Sequence, residues 1–134
     1  MIDKIQHLGI AVRDLDGAVA FFRDVLGLPL EGFETVEEQQ VKTAIFQVGE
    51  TKIELLATTS PEGPVGKFIE KRGEGIHHVC FKVQDIEEAI SVTSARGVRM
   101  IDAEPKSGVH GTRVAFIHPK DTFGVLIEYA EEEE

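Results

Sequence analysis

Three features that would each indicate a particular class of protein are scarce or absent in this sequence. It has a single cysteine, Cys80, so it cannot form an internal disulfide, and nothing in it indicates secretion. No apolar run approaches the roughly 20 residues that a membrane-spanning helix needs, and the amino terminus lacks the pattern of a signal peptide. Basic residues are few, 14 against 24 acidic ones, and a net charge of −10 disfavours contacts with nucleic-acid phosphates. We therefore expect a cytoplasmic protein that binds neither nucleic acid nor membranes.

The composition is that of one packed domain. The chain has 134 residues, within the roughly 100–200 that a domain usually takes. Hydrophobic residues make up 42% of it and charged residues 28%, which argues against disorder. The last four residues, Glu131 to Glu134, are all acidic and are interpreted as a solvated tail.

One segment of the sequence recurs 71 residues later (78 − 7 = 71). HLGIAVRDL, which begins at His7, aligns with HVCFKVQDI, which begins at His78, and both alternate apolar residues before an aspartate. Further matches follow in the same order: Gly27-Leu28 with Gly97-Val98, and KIEL at 52–55 with LIEY at 126–129. Ordered matches of this kind indicate an internal repeat. We infer a single domain over 1–134, built from two modules at about 1–66 and 67–134.

Each module is expected to form a strand, a helix and three further strands. The helices are predicted to begin after Asp14 or Asp16 and after Asp85, and to end at Gly27 and Gly97. Their buried faces are predicted to hold Leu15, Val19, Phe22 and Leu26, and Ile86, Ala89 and Ile90. Strands are expected at 28–34, 41–48 and 51–57 with a hairpin at Gly49-Glu50, and at 98–102, 112–118 and 123–130; a short helix is expected near 65–71. The fold class is thus α+β, with two tandem βαβββ modules forming a cupped mixed sheet.

Strand alternation places four titratable side chains on the faces away from the helices. His7 and His78 occupy equivalent positions in the two modules, and so do Glu54 and Glu128. Burying two carboxylates is costly unless a cation compensates them, so a divalent metal held by two histidines and two glutamates is the simplest interpretation. Imidazole and carboxylate ligands together suit Co²⁺, Ni²⁺, Zn²⁺ or Mn²⁺. A structural histidine and an ion-paired glutamate are the alternatives for each residue alone, and their recurrence at equivalent positions favours the metal.

The duplicated pattern resembles the vicinal oxygen chelate (glyoxalase) superfamily over essentially the whole chain, and within it the methylmalonyl-CoA epimerase family. The resemblance rests on HLGIAV at 7–12, TKIELL at 51–56, GEGIHH at 73–78, FIHPK at 116–120 and GVLIE at 124–128. It implies a cobalt-like metal, with Ni²⁺, Mn²⁺ or Zn²⁺ as alternatives, held by His7, Glu54, His78 and Glu128. Some members of the family have glutamine where Glu54 stands. Some have a glutamate, proposed as a catalytic base, where Thr43 stands, and a threonine cannot serve as that base.

The reaction that the resemblance implies is the interconversion of R and S methylmalonyl-CoA by 1,1-proton transfer through a metal-stabilised enolate. Proton transfer needs a base on each side of the reacting carbon, and the repeat makes Glu128 and Glu54 the candidates, with Glu128 the more important. The acyl-CoA thioester also carries phosphates. Residues that could contact them are Lys106, His110, Arg113 and Lys120, and solvated surface cations are the alternative interpretation.

Three other functions use the same kind of fold. A glyoxalase I-type lactoylglutathione lyase would use the same ligands on a glutathione hemithioacetal. An extradiol-type dioxygenase uses two histidines and one carboxylate, so the fourth ligand disfavours it. A metal-free protein that sequesters small molecules has no need of four ligand-type residues.

Small chains of this superfamily often dimerise, and an exposed sheet edge would favour a homodimer.

Overall fold

The computed structural model describes residues 1–133, which form two compact units. The first unit is His7–His77, and the second unit is Met1–Gln6 together with residues 78–133. The strands are β1 (Ile2–Ala11), β2 (Leu30–Val36), β3 (Val41–Val48), β4 (Thr51–Thr58), β5 (Gly75–Val83), β6 (Lys106–Ser107), β7 (Arg113–Ile117) and β8 (Ile127–Glu131). The helices are α1 (Leu15–Ala20), α2 (Pro64–Arg72) and α3 (Ile86–Ala95), with a π-helical turn at Phe21–Val25 and 3₁₀ turns at Glu37–Gln39, Val109–Gly111 and Pro119–Asp121.

In the first unit the strand order is β2-β3-β4-β1. β1 and β4 run parallel, while β3 pairs antiparallel with β2 and with β4. Alternate side chains of these strands pack towards α1, and the resulting core contains Val12, Val19, Ala44, Phe46 and Leu55. Burying an apolar side chain of this kind contributes roughly 1.5–3 kcal/mol relative to exposure. The core therefore fixes which side chains point to the opposite face of the sheet.

The second unit repeats this arrangement with the strand order β5-β8-β7-β6. β5 and β8 run parallel, and β7 pairs antiparallel with β8 and with β6. Its core against α3 contains Val83, Ile86, Ala89, Ile90, Ala115, Ile117 and Tyr129. Both halves of the chain follow the order strand, helix and three strands, so the predicted pair of βαβββ modules and the α+β class are confirmed.

The first helix begins where the sequence predicts, and Asp14 is its N-cap. The Asp14 carboxylate accepts a hydrogen bond from the Gly17 amide at 3.0 Å, which satisfies a donor that the first turn leaves without a helical partner. The chain leaves the π-helical turn at Gly27, whose φ of 71° lies in the left-handed region. The prediction that Leu26 is buried is wrong, since it is 51% exposed. The Leu26 amide bonds to the Phe21 carbonyl five residues back, and this wider turn rotates Leu26 off the buried face.

The third helix, α3, has the same local signals and meets the expectation in full. The Asp85 carboxylate accepts from the Glu88 amide at 3.1 Å, and Gly97 follows the helix with a φ of 85°. The residues predicted to be buried are all buried: Ile86, Ala89 and Ile90. Thr93 lies on this face as well, with its hydroxyl 2.7 Å from the phenol oxygen of Tyr129.

The strand predicted at 98–102 is wrong. This segment makes only an isolated bridge, between Met100 and Ile117. The Asp102 carboxylate accepts a hydrogen bond from the Phe116 amide at 2.8 Å, and it thereby takes a donor that a regular ladder would use. The edge of β7 is paired instead by the short strand β6.

The last strand starts four residues later than the predicted 123–130 (127 − 123 = 4). Phe123 and Gly124 have φ values of 60° and 85°, which are incompatible with an extended strand. The other predicted strands agree with β2, β3, β4 and β7 to within two residues at each end. The hairpin forms at Gly49, where φ is 59°, and the short helix near 65–71 is α2.

The acidic end of the chain is not simply a solvated tail, because Glu131 belongs to β8. Its carboxylate accepts a hydrogen bond from the Ile86 amide at 3.1 Å and lies 3.0 Å from Arg113 Nη1. Glu132 is also partly buried and lies 3.2 Å from Lys82 Nζ. Glu134, the last residue of the predicted tail, lies outside the described residues.

Within residues 1–133, none of the helices has the length and apolar character that a membrane crossing requires.

Candidate active site

The first unit buries an imidazole and a carboxylate side by side. In the parallel register of β1 and β4, His7 lies opposite Lys52, and Gly9 lies opposite Glu54. His7 and Glu54 are therefore diagonal neighbours on one face of the sheet. His7 Nδ1 is 3.2 Å from Glu54 Oε2, and the two side chains are only 7% and 4% exposed. This face is opposite the α1 core, as strand alternation predicts.

The second unit contains the equivalent pair on β5 and β8. Cys80 lies opposite Glu128 in the parallel register, which makes His78 and Glu128 diagonal neighbours as well. His78 Nε2 is 3.0 Å from Glu128 Oε1, and the two side chains are 6% and 5% exposed. The ring of Phe116 packs edge-on against the imidazole, with 5.6 Å between the ring centroids. A small buried cluster adjoins this pair: Cys80, Val114 and Ala130. Such low-dielectric surroundings strengthen polar interactions and make an unpaired charge costly.

The donor atoms of each pair fit a metal ion. Two ligands at about 2.1 Å from one ion and at right angles to each other are about 3.0 Å apart. The distances of 3.2 Å for His7 with Glu54 and 3.0 Å for His78 with Glu128 are compatible with that value, and equally with a direct imidazole–carboxylate hydrogen bond. Each pair supplies one imidazole nitrogen and one carboxylate oxygen, a mixture that suits first-row divalent ions. Each unit thus contains one of the two predicted imidazole–carboxylate pairs, with the donor atoms of that pair close together.

Lys106, one of the predicted phosphate contacts, is linked to the second pair through Phe116. Its Nζ lies 5.1 Å from the centroid of the Phe116 ring, within the range of a cation–π interaction. The same ammonium is 3.3 Å from Asp102 Oδ1, and the side chain of Lys106 is 35% exposed. The ammonium group of Lys106 thus lies beside the Phe116 ring that packs on His78, and it is accessible to an anionic ligand.

The other predicted phosphate contacts have different surroundings. Arg113 forms ion pairs with Glu87 and, at 3.0 Å, with Glu131. Its hydrogen bond with Glu87 raises the pKa of Arg113 above its ordinary value and holds the pKa of Glu87 below 4.5. An incoming phosphate would have to exchange with these carboxylates. His110, at a φ of 55°, and the exposed Lys120 both lie in 3₁₀ turns.

Two further polar side chains lie on the sheet face of His7 and Glu54. Sequence reasoning did not assign Lys52 to the site, and it considered Thr43 only as a position where some family members have a glutamate base. Lys52 is opposite His7 in the strand register, and its Nζ is 3.6 Å from Glu31 Oε2. Thr43 in β3 is fully buried, and its hydroxyl has no hydrogen-bond partner among residues 1–133. Lys52 could have been identified from the sequence, because residues two apart in a strand point to the same sheet face and Lys52 is two residues before Glu54. The predicted hairpin at Gly49-Glu50 already fixes the register that puts Thr43 on the face of Glu54, whereas the missing hydrogen-bond partner of its hydroxyl is visible only in the folded structure.

Comparison with other proteins gives a consistent result. The family model of the Glyoxalase/Bleomycin resistance protein/Dioxygenase superfamily matches residues 6–116. Uncharacterized protein YqjC of Bacillus subtilis (strain 168) is 41% identical over 130 residues, covering 97% of this chain and 93% of that protein. Ethylmalonyl-CoA/methylmalonyl-CoA epimerase of Cereibacter sphaeroides is 38% identical over 130 residues, covering 96% and 97%. A variant of Streptomyces coelicolor methylmalonyl-CoA epimerase, solved in complex with 2-nitronate-propionyl-CoA, aligns with a TM-score of 0.96 at 36% identity, covering 98% of this chain and 96% of that chain.

Proposed function

Because the chain belongs to the glyoxalase/bleomycin resistance protein/dioxygenase superfamily, and within it to the methylmalonyl-CoA epimerases, we propose that it is a metal-dependent methylmalonyl-CoA epimerase. Its reaction interconverts the R and S forms by removing the proton at C2 and returning one to the opposite face. The observation that supports this most directly is the buried imidazole–carboxylate pair that recurs at equivalent positions of the two modules.

In this proposal His7, Glu54, His78 and Glu128 hold one divalent ion, with Co²⁺ the first candidate and Ni²⁺, Mn²⁺ and Zn²⁺ the others. When bound, the ion supplies Lewis-acid stabilisation of the negative charge that develops on the thioester oxygen. The protein contributes two carboxylates and two imidazoles whose burial excludes water from the donor atoms. Their desolvation is costly without a cation, and this cost is what the ion would offset.

The same two glutamates are proposed to move the protons. Glu128 accepts the C2 proton, and the electron pair of the broken C–H bond delocalises into the thioester carbonyl as an enolate. Glu54 in its protonated form then donates a proton to the opposite face of C2, which completes the inversion. The reverse reaction exchanges the two roles, and proton exchange with solvent restores the starting protonation of both carboxyl groups. The forward and reverse reactions remove the proton from opposite faces of C2. Glu54 and Glu128, which are equivalent positions of the repeat, supply one carboxylate for each face.

The ligand chemistry of the relatives supports an enolate pathway. A nitronate, the group in the ligand of the Streptomyces coelicolor enzyme, is planar and anionic like an enolate.

Recognition of the CoA phosphates is proposed for Lys106, His110, Arg113 and Lys120. A homodimer in the cytoplasm completes the proposal; light scattering of the purified protein and fractionation of the source cells test these two parts.

The decisive experiment pairs metal analysis with two substrate assays. The purified protein is loaded with Co²⁺, freed of excess metal, and assayed for its metal content by mass spectrometry. It is then incubated in D₂O with methylmalonyl-CoA, and loss of the C2 proton is followed by NMR. We expect about one ion per chain, deuterium at C2 and conversion of one epimer into the other.

The parallel assay uses the hemithioacetal of glutathione and methylglyoxal, the substrate class of a glyoxalase I-type lyase. We expect no lactoylglutathione to form. Turnover of the hemithioacetal without exchange at C2 of methylmalonyl-CoA would replace the epimerase proposal with the lyase. A protein that binds neither metal nor acyl-CoA would instead favour the sequestration function.

A further inference from the structure

Three threonines are buried in the described part of the chain, and one differs from the others in its hydrogen bonding. The hydroxyl of Thr93 lies 2.7 Å from the phenol oxygen of Tyr129, and that of Thr112 donates to the Val109 carbonyl at 2.7 Å. The hydroxyl of Thr43 has no such partner among residues 1–133, although no part of the residue is exposed. Buried hydroxyls in folded proteins nearly always have a partner. The partner of Thr43 is therefore expected to come from outside the described residues, and a bound ligand can supply it.

The strand register places this hydroxyl on the face that carries the first metal-ligand pair. Ile45 in β3 lies opposite Glu54 in β4, and Thr43 is two residues from Ile45 on the same face. The alternate residues Ala44 and Phe46 belong to the α1 core, which confirms that Thr43 points to the other side. Diagonal cross-strand neighbours of this kind are roughly 7–8 Å apart or less between their Cβ atoms. A ligand oxygen bound to Thr43 would thus lie beside the carboxylate of Glu54.

We propose that the Thr43 hydroxyl donates a hydrogen bond to an acceptor oxygen of the bound acyl group, and that Thr43 is therefore a substrate-binding residue of this site. The inference rests on the proposed function, because it takes the ligand to be a malonyl-type thioester. The acyl part of such a ligand offers a carboxylate and a thioester carbonyl, both of which are acceptors. A hydroxyl can donate to either without adding charge beside Glu54.

A substitution that removes only the hydroxyl tests this assignment. Thr43→Val replaces the hydroxyl with a methyl group of similar size. We expect its kcat/KM for methylmalonyl-CoA to fall about tenfold, as for the loss of one hydrogen bond to a substrate oxygen. Its affinity for malonyl-CoA, measured by calorimetry on the Co²⁺-loaded protein, should fall by a similar factor, and its affinity for free CoA should not change. Thr43→Ser keeps the hydroxyl and should stay within about threefold of the wild type.

The chain provides a matched control in Thr93, a buried threonine whose hydroxyl has a partner within the protein. Thr93→Val removes the contact with Tyr129, so its melting temperature should fall while kcat/KM stays at the wild-type value. Thr43→Val should show the opposite pattern, with a melting temperature equal to or above that of the wild type and a lower kcat/KM. A purely structural role for Thr43 would lower the melting temperature and leave ligand affinity unchanged.

The outcomes separate this inference from the proposed function. If the wild type exchanges the C2 proton and Thr43→Val matches it in kcat/KM and in malonyl-CoA affinity, the assignment of Thr43 is overturned and the epimerase proposal stands. If the wild type does not exchange that proton, the epimerase proposal fails, and malonyl-CoA affinity alone decides for Thr43: a loss of about tenfold in the valine variant supports the contact, and equal affinity overturns it. If the valine variant does not fold, Thr43→Ala replaces it with the same expectations.

Discussion

At the scale of single residues, the carboxylate of Glu128 has two proposed roles, as a metal ligand and as a general base. It is buried beside His78 at 3.0 Å, where it is proposed both to bind the ion and to accept the substrate proton. Glutamine at this position keeps the size of the side chain and one oxygen ligand but cannot accept a proton at neutral pH. The two roles therefore respond differently to the same substitution.

We expect Glu128→Gln to lower kcat by about 10²–10⁴-fold, the usual contribution of a positioned general base. The metal content of the variant should remain within about twofold of the wild type, because an amide oxygen still reaches the ion. Steady-state kinetics and elemental analysis of the same preparation check both values. Glu70→Gln, on the exposed side of α2, is the control and should have no effect. Full turnover in Glu128→Gln with metal bound would remove Glu128 from the role of base.

Glu54→Gln should affect only one direction of proton removal. If each glutamate serves one face of C2, the variant loses exchange of one epimer by about 10²-fold or more and retains exchange of the other. The measurement incubates each pure epimer separately in D₂O and follows the C2 proton by NMR. Glu128→Gln should then affect the opposite epimer. An equal loss for both epimers in Glu54→Gln would contradict the assignment of one base to each face.

The residue-level site could be predicted from the sequence only where an internal signal marked it. His7 and Glu54 were predictable because His78 and Glu128 repeat them at equivalent positions, and alternation then fixes their sheet face. Thr43 had no such signal from the repeat, and the resemblance marked its position only as one where some family members have a glutamate base. What points to a ligand is that its hydroxyl has no partner among residues 1–133. That property depends on every neighbouring strand and so requires the folded structure.

At the scale of secondary-structure elements, the N-caps are the simplest features to test. The Asp85 carboxylate accepts from the Glu88 amide, and this bond holds the first turn of α3. We expect Asp85→Ala to lower the free energy of unfolding by about 0.5–2 kcal/mol and the melting temperature by roughly 2–6 °C. Asp85→Asn is the matched control, because asparagine caps helices as well as aspartate does, and it should melt within about 1 °C of the wild type. Equal losses in both variants would show that the charge, and not the cap, stabilises the helix.

Local signals explain why some elements were predictable and others were not. The helix starts at Asp14 and Asp85 and the glycines that follow each helix depend on a few adjacent residues, and all were predicted correctly. The π-helical turn at Phe21–Val25 has no comparable marker, and it moved Leu26 to the surface. The missing strand at 98–102 depends on the Asp102 carboxylate reaching the Phe116 amide, a contact across 14 positions (116 − 102 = 14) that periodicity cannot reveal.

At the scale of the whole molecule, removal of the metal should change stability as well as activity. Once a chelator has removed the ion, the buried carboxylates of Glu54 and Glu128 no longer have a metal cation to compensate their charge, which is costly for the folded state. A ligand at 100 times its dissociation constant stabilises the folded state by about 2.7 kcal/mol. We therefore expect a chelator to lower the melting temperature measured by calorimetry, and added Co²⁺ to restore it. The double variant His7→Ala/His78→Ala should melt at the same temperature with and without Co²⁺; a wild type that is equally indifferent to the metal would contradict the proposed site.

The repeat is also what made the overall architecture predictable. Two matching segments 71 residues apart indicated two modules, and both modules have the predicted order of strand, helix and three strands. The repeat could not show that Met1–Gln6 belongs to the unit of the later residues. That grouping depends on contacts between distant positions, such as Gln84 Nε2 donating to Asp3 Oδ1 at 3.2 Å and Gln6 Nε2 donating to Glu132 Oε1 at 3.4 Å.

This division of β1 sets an order of events during synthesis on the ribosome. Residues 7–77 have all their unit's contacts available once residue 77 has emerged, whereas Gln6 must wait for Glu132, which is translated 126 residues later (132 − 6 = 126). At roughly 5–20 residues per second, that delay is roughly 6–25 s. For this interval the strand segment before His7 lacks the contacts that later residues of its own unit supply, such as that of Gln6 with Glu132, and it is open to pairing with another chain.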